Sequence, residues 1–181
     1  DDWLITPTIN LNSVPGVKRL KFHYRVQSTG EPNDFRVMLS STGVQPASFT
    51  ETLMPLTVVN NTTYVEKIIN LIDANGNPYT GNVNIAFHIP PAGLDGWRLY
   101  IDNVIVEVMP ACPSPTFFEI TGVTDNSATL QWVNGFQENA WEVIAQPYGT
   151  GVPTNATPIT ATATATPYTV NGLNPNTRYE F

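Results

Sequence analysis

The chain has 181 residues and carries eight Lys and Arg against 15 Asp and Glu, a formal charge of −7. Only 13% of its residues are charged while 41% are hydrophobic and 10% aromatic, which excludes a wholly disordered chain. The acidic balance also excludes a nucleic-acid binder, which displaces counterions with a basic footprint. Sixteen Pro and 12 Gly work against long helices, so an all-β chain is expected. No apolar run approaches the roughly 18 residues of a membrane-spanning helix, so membrane insertion is not expected. No signal peptide precedes Asp1, so any export signal is expected upstream or already removed. A single cysteine, Cys112, and two histidines, His23 and His88, exclude an internal disulfide framework and a Cys- or His-rich metal centre.

In chain order, Leu20-Lys21-Phe22-His23-Tyr24-Arg25-Val26 alternates apolar and polar side chains, the pattern of a half-buried strand. Phe35-Arg36-Val37-Met38-Leu39 and Val83-Asn84-Ile85-Ala86-Phe87-His88-Ile89 repeat it. Asn75-Gly76 between them is a turn signal, and the preceding Asp73 reads as part of that turn rather than as a calcium loop. Trp97-Arg98-Leu99-Tyr100-Ile101 is followed by Asp102-Asn103 and then Val104-Ile105-Val106, with a shift of apolar parity that a β-bulge requires. Three prolines within residues 110–115 read as a short, semi-rigid linker. Residues 1–110 hold seven basic and ten acidic groups, whereas residues 111–181 hold one and five.

Beyond the linker, Phe117-Phe118-Glu119-Ile120, Ala128-Thr129-Leu130-Gln131-Trp132-Val133 and Trp141-Glu142-Val143-Ile144-Ala145 predict further strands. Their close spacing suggests a β-sandwich. The Ala/Thr alternation between Pro158 and Pro167 predicts an edge strand with a solvated face.

From Pro113 onward the sequence resembles a fibronectin type III domain. The likeness rests on Ser127–Trp132 with its core tryptophan, Trp141-Glu142-Val143, and Leu173, Pro175, Thr177 and Tyr179. Those last four match a corner in which a tyrosine hydroxyl bonds to backbone. The resemblance implies that most of the sixth strand and all of the seventh lie beyond Phe181. The first segment resembles the cleaved-adhesin family of secreted Bacteroidota proteins. Asp2-Trp3-Leu4-Ile5-Thr6-Pro7, Asn84-Ile85-Ala86-Phe87-His88 and Leu99-Tyr100-Ile101-Asp102-Asn103-Val104 carry that likeness. It implies a jelly roll whose opening strands precede Asp1. The expected organisation is therefore a jelly-roll β-sandwich over residues 1–109, a linker over 110–115, and an incomplete immunoglobulin-like sandwich of the fibronectin type III kind over 116–181.

Catalytic motifs are missing: there is no Gly-x-Ser-x-Gly elbow, no phosphate loop and no His-Glu-x-x-His. Cys112 sits among prolines with nothing beside it to activate a thiol. No catalytic residue is assigned, and the chain is not expected to be an enzyme. For ligand binding, Lys21, His23 and Arg25 share one polar strand face, and His88, Arg98 and Tyr100 occupy others. If those faces adjoin, they make a patch of cations and an aromatic ring suited to stacking a sugar or pairing a carboxylate. Otherwise the charges solvate the sheet and Trp3 and Trp97 serve packing. Asp102 has two readings, a ligand to a structural calcium, which the jelly-roll resemblance implies, or a cap on its own bulge. Asn60, Asn61 and Asn155 fit the glycosylation acceptor pattern.

The expected function is non-catalytic adhesion by a module of a large secreted or cell-surface protein, with surface glycans or extracellular proteins, and neighbouring domains of the parent chain, as partners. The family likeness implies export by a type IX secretion route. The alternatives are an accessory or spacer region of a secreted protease or glycoside hydrolase, and a structural repeat of a surface filament.

Overall fold

The computed structural model describes residues 1–181, which divide into two compact units, residues 1–109 and 110–181. Every regular element but one is a β-strand; the exception is a single 3-10 turn at Pro46–Ser48. No helix is long and apolar enough to cross a membrane.

The first unit contains β1 (Asp2–Ile5), β2 (Ile9–Asn10), β3 (Lys18–Val26), β4 (Asn33–Ser40), β5 (Glu51–Val59), β6 (Val65–Asn70), β7 (Asn82–Ile89) and β8 (Leu99–Val108). They form two antiparallel sheets. One runs β1-β7-β4-β5 with β2 also paired to β7, and the other runs β6-β3-β8. Alternation decides what each strand buries: Leu20, Phe22 and Val26 of β3, Phe35, Val37 and Leu39 of β4, and Val83, Ile85 and Phe87 of β7 join one apolar core. Phe22 is its hub, with its ring edge-on to Phe87 at 4.9 Å and to Phe35 at 6.1 Å.

The other face of β4 and β7 was expected to be solvated. Instead Trp3, Ile5 and Phe49 cover Met38 and Ala86 there, so the middle of this sheet is buried on both sides. On the β6-β3-β8 sheet, pairing slips between Lys21 and His23, opposite Asn103 and Val104 of β8. Asn103 takes a left-handed conformation (φ 50°) at that point, so the bulge lies where the apolar parity changes. The turn at residues 73–77 is closed by Asp73, whose Oδ1 accepts from the backbone N–H groups of Asn75 and Asn77 at 2.8 Å each, with Gly76 at φ 85°.

The second unit contains β9 (Thr116–Val123), β10 (Ser127–Val133), β11 (Trp141–Val143), β12 (Gln146–Pro147), β13 (Ala161–Ala163), β14 (Tyr168–Asn171) and β15 (Tyr179–Glu180). One sheet runs β14-β10-β9, and β11-β13 and β12-β15 are separate antiparallel pairs. Ala128, Leu130, Trp132, Val143, Ala163 and Val170 make its core. The Ala/Thr run yields only the three residues of β13, and the chain bends over residues 164–167 that follow it. Pro113 is buried rather than free in a linker, and a Cβ on Gly135 would stand 2.5 Å from its carbonyl oxygen. The Tyr179 hydroxyl accepts a hydrogen bond from the Asn174 backbone N–H at 3.1 Å.

Candidate functional site

The outward side chains of the β6-β3-β8 sheet fall into rows set by strand register. Arg19 stands beside Glu107, Lys21 between Ile68 and Ile105, and His23 between Glu66 and Asp102. At the end of the face Arg25 stands opposite Tyr100, with Tyr64 on its other side. The structure thus places cations and aromatic rings on one face, with a membership different from the expected patch.

Most charges on this face are compensated. Arg19 Nη2 and Nε meet Glu107 Oε1 at 2.7 and 2.8 Å, and Lys21 Nζ lies 3.4 Å from Glu66 and 3.8 Å from Glu107. The Arg19 hydrogen bond is the main reason the Glu107 carboxyl is held below its ordinary range. Arg25 is different. Its guanidinium carbon is 3.9 Å from the centroid of the Tyr100 ring and 5.1 Å from that of Tyr64. It joins none of the chain's ion pairs, and its one protein hydrogen bond is a long 3.4 Å contact from Nη1 to the Val26 carbonyl. The rings therefore hold a cation whose remaining N–H groups have no acceptor. Tyr64 is 45% exposed, so the face is open on that side. Arg25 belonged to the expected patch, but its placement between Tyr64 and Tyr100 was not expected. Alternation put Arg25 and Tyr100 on outward faces, but their meeting follows from the strand order, which alternation does not reveal.

The three residues expected to bind ligand do not meet. Tyr100 belongs to the Arg25 cluster. Arg98, just before β8, lines an open cleft of about 370 Å³ with Asp2, Asn33, Asp95 and the exposed Trp97. His88 is on the other sheet and is 3% exposed. Its ring stacks on Trp3 at 3.6 Å, its Nδ1 accepts from Arg36 Nε at 2.9 Å, and its Nε2 is 2.7 Å from Asp1 Oδ1. With Nδ1 already accepting, the proton belongs on Nε2 and the ring is neutral. Burial, and then the Arg36 charge, hold its pKa below the ordinary value. His88 is a packing residue; it was expected on a polar face because β7 alternates and the cover supplied by Trp3 and Phe49 is distant in sequence.

Asp102 is exposed, and its Oδ1 accepts the Asn103 backbone N–H at 2.7 Å, which caps the bulge. No group of three or more His, Cys, Asp or Glu side chains gathers around it or elsewhere in the chain. The contact seen for Asp102 is therefore that of a cap on its own bulge, with one carboxylate oxygen committed to backbone. Asn61 spends its amide on the carbonyls of Tyr24 and Thr63, whereas Asn60 and Asn155 are exposed.

Among solved structures the chain is similar to the K1 Cleaved Adhesin domain of Lys-gingipain from Porphyromonas gingivalis W83. Identity is 20% over 60% of this chain and 63% of that one, with a TM-score of 0.46. The K3 Cleaved Adhesin domain of the same protein gives 20% identity over 57% and 62%, with a TM-score of 0.45. This chain thus spans less than two thirds of either domain. The Endo-D glycoside hydrolase domain from Streptococcus pneumoniae R6 aligns at 10% identity over 87% of this chain and 24% of that one, with a TM-score of 0.29. No curated protein matches the chain. Residues 1–84 match the model of the Cleaved Adhesin Domain family.

Proposed function

We propose that this chain is part of a non-catalytic adhesion module of a larger protein, displayed outside the cell or on its surface. In this reading it attaches to glycans or extracellular proteins through the outer face of the β6-β3-β8 sheet. The family match over residues 1–84 supports the adhesive role. The observation that carries the choice of face is Arg25, an uncompensated guanidinium between Tyr64 and Tyr100 on a strand whose Arg19 and Lys21 both have carboxylate partners. A rigid β-sandwich suits such a role, since side chains on a paired central strand are held in place before any partner arrives.

We read the first unit as a jelly roll and the second as a sandwich of the fibronectin type III kind. The β14-β10-β9 sheet, the β11-β13 and β12-β15 pairs, and the hydroxyl of Tyr179 on the Asn174 N–H support the second assignment. A glycan array and a panel of matrix proteins test the adhesive reading. Binding that is lost in Tyr100→Ala and Tyr64→Ala, with melting temperature kept, is the expected result. Silence on every surface, or binding unchanged in both variants, overturns the choice of this face.

A further inference from the structure

We infer that Arg25 is the receptor for a single carboxylate carried by an acidic sugar, an assignment that rests on the adhesive reading of this sheet face. A guanidinium presents its N–H groups in a plane as a fork that fits the two oxygens of a carboxylate. On Arg25 that fork is without a protein acceptor apart from the long contact to Val26, and its central carbon lies 3.9 Å from the centroid of the Tyr100 ring. With a ring on either side, the N–H groups of Arg25 are left for a partner that approaches from solvent. The Tyr64 and Tyr100 hydroxyls make no hydrogen bond within the chain, so they stand ready for sugar hydroxyls on either side of the carboxylate.

The surroundings select one negative charge rather than many. Glu66 and Asp102 flank His23 in the neighbouring row, and Glu107 lies farther along the same face. A ligand with one carboxylate reaches Arg25 without meeting them, whereas an extended polyanion lies across all three. An acidic peptide is disfavoured for a backbone reason. Arg25 is on β3, the central strand, and β3 is paired with β6 and β8 on either side, so no edge is open there for a peptide to add as a strand.

The test is calorimetric titration of the 181-residue chain at low salt with glucuronate and N-acetylneuraminate, and with galactose as the neutral probe. The expected result is saturable binding of both acidic sugars with dissociation constants on the order of 1 mM and no binding of galactose. Arg25→Gln should abolish it. Arg25→Lys, which keeps the charge but not the fork, should weaken it about tenfold. Both variants should stay folded, since Arg25 makes no ion pair, with Arg25→Gln melting slightly below the parent for loss of the cation over the rings. If Arg25→Gln proves unfolded, Tyr64→Phe, which removes only a hydroxyl, should still weaken binding, and unchanged affinity overturns the assignment. Equal binding of galactose and the acidic sugars, lost with Tyr100→Ala, overturns the carboxylate receptor but leaves the adhesive face standing. Acidic-sugar binding that survives Arg25→Gln overturns the site. Absence of any sugar binding, with the glycan and protein surfaces also silent, overturns both.

Discussion

Whether a side chain is structural or available is decided by how completely its polar atoms are paired. Arg36 and Arg25 are both outward-facing arginines on inner strands, yet Arg36 donates to His88 while Arg25 has no carboxylate or imidazole to meet. The His88 pairing has a pH consequence. Its folded pKa lies below the ordinary 6.5 because the ring is buried and then because Arg36 is close. The unfolded chain therefore takes up a proton where the native ring stays neutral, so stability is full above about pH 6.5 and is lost as pH falls below it. Melting temperatures measured from pH 7.5 to 5 should decline more steeply for the parent than for His88→Gln. Equal slopes would mean that His88 is not the group responsible. Asp73 and Glu107, whose carboxyls are held below 3.8 and 4.5 respectively, add their own losses only at lower pH and do not confuse that window. In the core, Phe22 has no exposed surface and meets aromatic rings from both β4 and β7. Phe22→Ala should cost about 3–5 kcal/mol by chemical denaturation, and a loss below about 1 kcal/mol would mean that the two sheets do not pack through this ring.

Among the elements, β8 and its bulge carry the most information. Asn103 holds a left-handed backbone conformation that asparagine and glycine tolerate and β-branched residues do not. Asn103→Gly should be close to neutral, and Asn103→Val should cost roughly 1–2 kcal/mol; equal stabilities would mean the bulge relaxes into regular pairing. The Asp102 cap should act without metal, so calcium should leave the melting temperatures of the parent and of Asp102→Ala unchanged. A calcium-induced rise in the parent that Asp102→Ala removes would restore the ligand reading. This bulge was legible in the sequence because an apolar parity change is local, as was the Asp73 turn, built from five consecutive residues. The cover on the outer face of β4 and β7 was not. Phe49 follows the 3-10 turn at Pro46–Ser48 and Trp3 comes from β1, and no alternation within β7 reveals that they will bury Ala86 and His88. The Arg25 cluster was half legible for the same reason. Parity put Arg25 and Tyr100 on outward faces, while their meeting, and the arrival of Tyr64 from just before β6, depended on the order β6-β3-β8.

At the scale of the whole molecule, charge sets which ligands the face can hold. The formal charge of −7 is divided as −3 over residues 1–110 and −4 over residues 111–181, so the segment that carries this face is itself net repulsive to an anion. A sulfated polysaccharide gains affinity by engaging many cations together, and this face has already neutralised Arg19 and Lys21 with Glu107 and Glu66. One free guanidinium does not outweigh that field. The chain should therefore pass unretained through a heparin column at roughly 0.1 M salt, where charges farther apart than about 10 Å are screened. Glu66→Gln with Glu107→Gln reduces the net charge to −5 and frees Lys21 and Arg19 beside Arg25. That double variant should be retained and should elute with a salt dependence set by several cations rather than one, because the three then act along a single strand. Retention of the parent chain would show that the carboxylates fail to neutralise their neighbours, and the single-guanidinium assignment would fall. If the double variant is also unretained, the cations of β3 do not act as one surface, and the charge argument for one carboxylate rather than many loses its basis.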